Sequence, residues 1–349
     1  MATSFVPRAI FPTLQNLPKS YFIGHHKTAI QSIRKTISTI DLVIECRDYR
    51  VPLTSINPLF EQCLEGRPRV LVYTKRDVGN SASIEDANRE KLLRNAYSPS
   101  TTVFFSDCTN KFHVSGILKY LKSQIPTASS LTGLQVLIVG MPNVGKSTLL
   151  NSLRHIGVNR KKAARTGDQP GVTRSMPSYV RIAQATGNWR DPGGVYVKDS
   201  PGVFVPYIPD PDAMLKLALC GCVKDTVIHP VQVADYLLYQ INKHGKHNAY
   251  KRFCGPTNDI MELLLGVSKN LGMLKKQGEP MFEGAAVRWL QWFRHGRMGR
   301  FCLDEVSEES IREAHAAKPF ITSYSAAKKQ SKAIRIKGQR NITTEEQLP

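Results

Sequence analysis

Acidic residues are scarce in this chain: 28 Asp and Glu stand against 48 Lys and Arg in 349 residues, a formal charge of +20. That imbalance argues against an ordinary near-neutral enzyme surface and favours a polyanionic partner, nucleic acid first and an anionic membrane second. The deficit is sharpest at the ends. No acid precedes Asp41, although Arg8, Lys19, Lys27, Arg34 and Lys35 do, and none lies between Lys318 and Arg340. The seven cysteines include no Cys-x-x-Cys pair, so neither a zinc site nor a disulfide framework is expected, and reduced thiols follow. No apolar run approaches the ~18 residues that cross a bilayer.

What is present is a set of short apolar runs, each ending in a turn with chemistry. Leu134–Val139 reads as a buried parallel strand and runs into Gly140-Met141-Pro142-Asn143-Val144-Gly145-Lys146-Ser147, then a helical stretch from Thr148 to Leu153. Strand, glycine loop and helix are the context in which backbone amides and a helix N-terminus cradle phosphates. Asn143, Val144, Gly145, Lys146, Ser147 and Thr148 are therefore expected at the phosphates, with Lys146 reaching the β- and γ-phosphates and the Ser147 hydroxyl on Mg2+. A second run, Gly194–Lys198, ends in Asp199-Ser200-Pro201-Gly202. There Asp199 would hold Mg2+ through water and the Gly202 amide would face the γ-phosphate. Between the two lies Gln169-Pro170-Gly171-Val172-Thr173, which offers Thr173 as the residue closing over Mg2+ and the γ-phosphate.

A third run, Arg69–Tyr73, leads into Thr74-Lys75-Arg76-Asp77. A carboxylate at Asp77 accepts from N1–H and the exocyclic amine of guanine, a pair of donors that adenine does not present. Lys75 would lie along the base, and Thr74 stands where many GTPases carry Asn. After a fourth run, Thr102–Phe105, Ser106 starts the loop whose backbone N–H would contact guanine O6. GTP and GDP are thus the expected ligands. The base-reading element precedes the phosphate loop, the reverse of the usual order. This predicts an α/β fold, a circularly permuted P-loop GTPase domain with a doubly wound, mostly parallel sheet. Its γ-phosphate-sensing segment runs directly into a C-terminal helical domain.

These residues resemble the YlqF/YawG family of circularly permuted GTPases, and within it the mitochondrial, ribosome-associated branch. The likeness extends from about Tyr21 to Asp304 and includes Phe22-Ile23-Gly24-His25, Asp41–Leu53, Asp199–Val203, Val223-Lys224-Asp225-Thr226 and Phe293–Arg300. The resemblance implies GTP hydrolysis, slow alone and stimulated by the ribosomal subunit, coupled to maturation of the mitochondrial large ribosomal subunit through its rRNA. It implies a place in the mitochondrial matrix or on the matrix face of the inner membrane, with a peripheral membrane contact and no DNA partner. Val203 follows Gly202 where Ras-like proteins place a water-orienting glutamine, and a valine cannot polarise water. By resemblance His25 takes that role, with His26 beside it as the competing choice. Lys146, Thr173 and Gly202 complete the expected catalytic set, and Asn143 resembles an asparagine that coordinates K+ in potassium-stimulated relatives.

The rest of the chain is less specific. The acid-poor start resembles an import segment over residues 1–20, although Pro7, Pro12 and Pro18 interrupt any helix; a basic N-terminus without an address is the other reading. Arg154, Arg160, Lys161, Lys162 and Arg165 form a basic cluster before Thr173, suited to rRNA or simply solvated. From His229-Pro230 onward Val231, Ala234, Leu238 and Ile241 repeat at helical spacing. Trp289, Trp292 and Phe293 lie among arginines, either to stack on unpaired bases or to form core. The expected organisation is a GTPase domain over 21–206, a helical rRNA-facing domain over 207–310 and a basic tail over 311–349. The alternatives are a GTP-dependent RNA- or ribosome-binding module with incidental hydrolysis, and a small-subunit assembly GTPase.

Overall fold

The computed structural model describes residues 5–14, 17–18, 21–22, 24–64, 66–125, 133–160, 164, 178–184, 193–276 and 278–316. Among these residues six strands form one sheet: β1 (Leu42–Asp48), β2 (Arg69–Thr74), β3 (Thr102–Phe105), β4 (Leu134–Gly140), β5 (Val180–Gln184) and β6 (Gly194–Asp199), in the order β3-β2-β1-β4-β6-β5. Neighbours pair in parallel except β5, which runs antiparallel to β6 at the edge. Four of these strands are the apolar runs of the sequence. The other two are not. β1 sits at the centre yet carries Glu45, Arg47 and Asp48, which break its apolar pattern, and all of its residues are buried. The charges are tolerated because they neutralise one another: Arg47 Nε lies 2.6 Å from Glu45, and Arg50 Nη2 lies 2.7 Å from Asp48.

Alternation along the strands sends side chains to both faces, so the sheet is covered twice. Ile44, Val72, Val136 and Ile138 face a large cluster shared with α5 (Lys111–Ser123), α6 (Lys146–Val158) and the helices that follow β6. On the opposite face Val43, Leu137 and Val139 pack with α1 (Gly24–Thr36) and α2 (Pro58–Cys63), while Leu71 and Tyr73 pack with Leu93 of α4 (Ile84–Tyr97).

After β6 the chain builds a helical layer from α7 (Pro211–Leu219), α8 (Pro230–Lys243), α9 (Ile260–Leu271) and α10 (Phe282–Arg294). In α8, Ala234, Leu238 and Ile241 are buried as their spacing requires. In α10, Trp289 and Phe293 are fully buried and Trp292 is 6% exposed. The aromatics are core, so the base-stacking reading fails, while Arg288, Arg297 and Arg300 remain exposed.

The chain then returns to the sheet. Asp304 accepts from the amides of Leu53 (2.9 Å) and Thr54 (2.8 Å) and from the Thr54 hydroxyl (2.6 Å), with Lys216 Nζ 3.5 Å away. Across the expected boundary at residue 310, Glu308–Ala316 forms α11, whose Ile311 packs with Leu71, Tyr73 and Leu93. At the other end, the stretch read as an import segment is packed in its described part: Arg8 pairs with Asp235 at 2.6 Å, and the Phe11 ring meets Tyr236 at 5.1 Å.

Asp304→Ala should cost about 2–4 kcal/mol, because it strands two amides and leaves Lys216 with the half-buried Asp212 as its remaining carboxylate among the described residues. Urea denaturation checks this; a loss below about 0.5 kcal/mol would show that the return segment does not hold the helical layer to the sheet.

Candidate nucleotide-binding site

The turns carrying chemistry emerge at the C-terminal ends of adjacent parallel strands, where α/β sheets bind ligands. The loop between β4 and α6 needs glycine at Gly145, which caps α6 at φ +89°. Val144 and Lys146 are buried on either side of it, while Asn143, Ser147 and Thr148 are half-buried. With the helix N-terminus beneath them, the loop amides provide a seat for phosphate oxygens. The Lys146 ammonium donates to the Met141 carbonyl at 2.7 Å, on the loop itself. Burial lowers its pKa, opposed by Asp199.

Ser147 Oγ donates to Asp199 Oδ2 at 2.6 Å. Burial raises the Asp199 carboxyl, and its second oxygen, Oδ1, is buried without a partner among the described residues. A serine hydroxyl and a buried carboxylate with an orphaned oxygen fit a small hard cation such as Mg2+.

Beyond Asp199 the chain is pinned to the phosphate loop. Val203 N–H donates to the Gly140 carbonyl at 3.2 Å, and a Cβ on Gly202 would fall 2.5 Å from Pro142 Cα, so only glycine fits there. Val203 is fully buried beside Ala29, Ile30 and Ile33 of α1. Its apolar character therefore has a packing cause: it fastens α1 to this loop. His26 completes the fastening, its Nδ1 accepting from Phe204 N–H at 3.1 Å. His25, one residue away with ring centroids 4.1 Å apart, is exposed. His26 therefore anchors α1, and the exposed member of the pair is His25.

At the base end, Lys75 takes a left-handed conformation (φ 56°) at the start of α3 (Arg76–Gly79). This turn aims Lys75 Nζ at the Asn143 carbonyl, 2.5 Å away, and at Asp48 Oδ2, 3.2 Å away. The Thr74 hydroxyl donates to the Val144 carbonyl, so it tethers the phosphate loop from the position where many GTPases use Asn. Asp77 is exposed; partial desolvation and then the nearby Asp107 raise its carboxyl, while Arg50 and Arg300 oppose this. Ser106 is buried, and its own N–H is spent on the Tyr73 carbonyl at 2.8 Å, leaving base contacts to the loop it begins. Thr173 lies outside the described residues, as do Lys161, Lys162, Arg165 and the tail from residue 317. No sequence motif assigns a role to Asp48, the last residue of β1, or to Arg50, two residues beyond it, yet they form a buried pair behind Lys75.

A P-loop sheet in which the strand leading to Thr74-Lys75-Arg76-Asp77 precedes the phosphate loop defines the class: a circularly permuted GTPase. Residues 135–256 match the family described as 50S ribosome-binding GTPase. The chain is 32% identical over 325 residues to mitochondrial GTPase 1 of Schizosaccharomyces pombe, covering 88% of this chain and 95% of that protein. Mitochondrial ribosome-associated GTPase 1 of Mus musculus is 30% identical over 324 residues, 85% of this chain and 93% of that protein. GNP-bound YlqF from T. maritima shares the fold, with a TM-score of 0.53 at 20% identity over 80% of this chain and 98% of that one. The chain belongs to the mitochondrial GTPase 1 family, and it hydrolyses GTP.

Burial, then His25 and the Lys146 ammonium, push the His26 imidazole down to about 3, against 6.5 when unperturbed. The unfolded chain binds more protons than the folded one between those values. The stability contributed by this site is therefore complete above pH 6.5 and is lost as the pH falls from there toward 3, by up to ~1.4 kcal/mol per unit. In His26→Asn, with an amide oxygen replacing Nδ1 as acceptor, the fall in urea midpoint between about pH 6.5 and 5 should be shallower. An unchanged slope would assign the acid sensitivity to other groups.

Proposed function

We propose that this GTPase acts in the mitochondrial matrix, or on the matrix face of the inner membrane, where it binds the large ribosomal subunit and couples GTP hydrolysis to maturation of that subunit. One observation carries the reading. The loop Asp199–Phe204, which faces the γ-phosphate position, leads through Val205–Pro209 straight into α7 and the helical layer, so a change of nucleotide pulls on that layer without an intervening domain. The names of the family and of the mouse relative, both of which mention the ribosome, support the partner. So does a charge of +20, with Arg160, Arg288, Arg297 and Arg300 exposed for phosphate contact.

The chain's own residues divide the chemistry as follows. Lys146 and the amides of Asn143–Thr148 hold the β- and γ-phosphates, Asp77 selects guanine, and the Gly202 amide reports the γ-phosphate. Ser147 and Asp199, with Thr173, which precedes β5 in the sequence, are the residues to hold Mg2+, which neutralises phosphate charge when bound. Asn143 is the residue to hold K+, by resemblance to potassium-stimulated relatives.

The buried Val203 cannot orient water, so that task falls to His25. It stands exposed on the helix that Val203 and His26 fasten to the γ-phosphate loop. A neutral imidazole there orients the nucleophile and takes its proton near pH 7. Because His25 reaches into solvent, the ribosomal subunit is the agent that turns it inward, which makes turnover slow in its absence.

Turnover of GTP in K+ buffer should rise at least tenfold with purified mitochondrial large subunits and not with small subunits, an effect of the order that general acid–base groups supply. Stimulation by small subunits alone would favour the assembly role at that subunit, and stimulation by neither would overturn the partner. His25→Ala should retain GDP affinity and lose the stimulated component. Full stimulation in that variant would remove His25 from the chemistry.

A further inference from the structure

Two stretches stand out in the sequence yet take no part in the nucleotide chemistry, Val223–Thr226 and Phe293–Arg300, and they meet. At the end of α10 the Arg294 guanidinium donates to both Asp225 carboxylate oxygens, at 3.0 and 2.6 Å, and to the carbonyls of Leu219 (3.0 Å) and Ala218 (2.9 Å). All of these acceptors flank one turn, in which the chain leaves α7 and reverses at Gly221, φ +75°. A planar guanidinium with several donors in fixed directions holds such a turn in one orientation, which a lysine cannot do.

The turn presses on the phosphate loop. A Cβ on Gly221 would stand 2.8 Å from Nδ2 of Asn143 and 3.3 Å from Nε of Arg294, so Gly221 is wedged between the two side chains. The neighbours of Arg294 reach the other arm of the site. The Phe293 ring lies under the Arg50 guanidinium at 5.3 Å, and Arg50 shares Asp48 with Lys75. A Cβ on Gly296 would fall 3.0 Å from Val78 Cγ1, the residue after Asp77. The segment Phe293–Gly296 thus reaches the phosphate loop through the Gly221 turn and the Thr74–Asp77 turn through Arg50 and Val78, and Arg297 and Arg300 just beyond it are exposed.

We propose that Arg294 is a positioning residue for the nucleotide: through the Gly221 turn it sets the Asn143 side chain, and so the rate at which the phosphate loop releases its ligand. Phe293 and Gly296 hold the guanine-reading arm in register with it. RNA phosphates bound at Arg297 and Arg300 thereby act on nucleotide exchange through a short contact path. The inference rests on the assignment of Gly140–Thr148 as the phosphate loop.

The experiment is a double-mutant cycle on the full chain, with dissociation of fluorescently labelled GDP as the readout and melting temperature as the control. Gly221→Ala, whose added carbon pushes on Asn143, should change the dissociation rate at least about fivefold, and Arg294→Lys should do the same because it keeps the charge but loses the fork. In an Asn143→Ala background both effects should shrink below about twofold, whereas general destabilisation would lower the melting temperature equally in both backgrounds. Additive effects, or no change of rate in either single variant, would overturn the proposal. Should Gly221→Ala fail to fold, the Arg294→Lys and Asn143→Ala pair completes the same cycle. Undiminished GDP binding in Lys146→Ala would instead overturn the phosphate-loop assignment on which the proposal rests.

Discussion

The candidate site depends on the stitching of the Thr74–Asp77 turn to the backbone of the loop Gly140–Ser147. Thr74 donates to the Val144 carbonyl, and Lys75 donates to the Asn143 carbonyl at 2.5 Å. A nucleotide is gripped at both ends only if these loops keep a fixed separation, and here they lie on strands separated by β1 and far apart in the chain. Carbonyl acceptors make the tether independent of side-chain identity in the loop. Burial strengthens it: Thr74 is inaccessible, and Asp48, which shares Lys75, is held ionised by Arg50 and Lys75 against the cost of burial.

Permutation changes what this grip can move. The strand that ends in Thr74 precedes the one that ends in Gly140, so on the function proposed above Asp199–Phe204 is the last nucleotide-sensing segment, and α7 follows it directly. Val203 and His26 tie that segment to α1, which carries His25, and the Gly221 turn ties the phosphate loop to α10. Two outlying parts of the molecule, α1 and the end of α10, are therefore joined to Asp199–Phe204 and to the Gly140–Ser147 loop by short contact paths. The continuous apolar cluster that runs from Ile138 and Val144 through Leu219 to Trp289 and Phe293 makes the helical layer a rigid extension of the site.

Much of this was legible in the sequence, for physical reasons. The glycine loop, Asp199-Ser200-Pro201-Gly202 and the turn at Thr74–Asp77 each follow an apolar β-branched run, the usual signature of a buried parallel strand. β1 escaped notice because its buried charges are compensated by neighbours two residues along and across the sheet, which periodicity does not reveal. β5 is a short edge strand with little burial to mark it. The pair His25-His26 was ambiguous because adjacent residues on a helix point in different directions, and only packing shows that His26 turns inward. The aromatics of α10 raised the opposite problem: side chains suited to base stacking are equally suited to a core, and burial decides between them. The packing of Arg8 and Phe11 on α8 is a long-range event with no local signal.

Amide hydrogen exchange of the full chain, compared between its GDP state and a state with a non-hydrolysable GTP analogue, tests most directly whether nucleotide chemistry is transmitted into the helical layer. Altered protection is expected in α7 and the turn from Ala218 to Asp225, alongside the change at Asp199–Phe204. Changes confined to the phosphate loop and Asp199–Phe204, with α7 and that turn exchanging identically in both states, would contradict it.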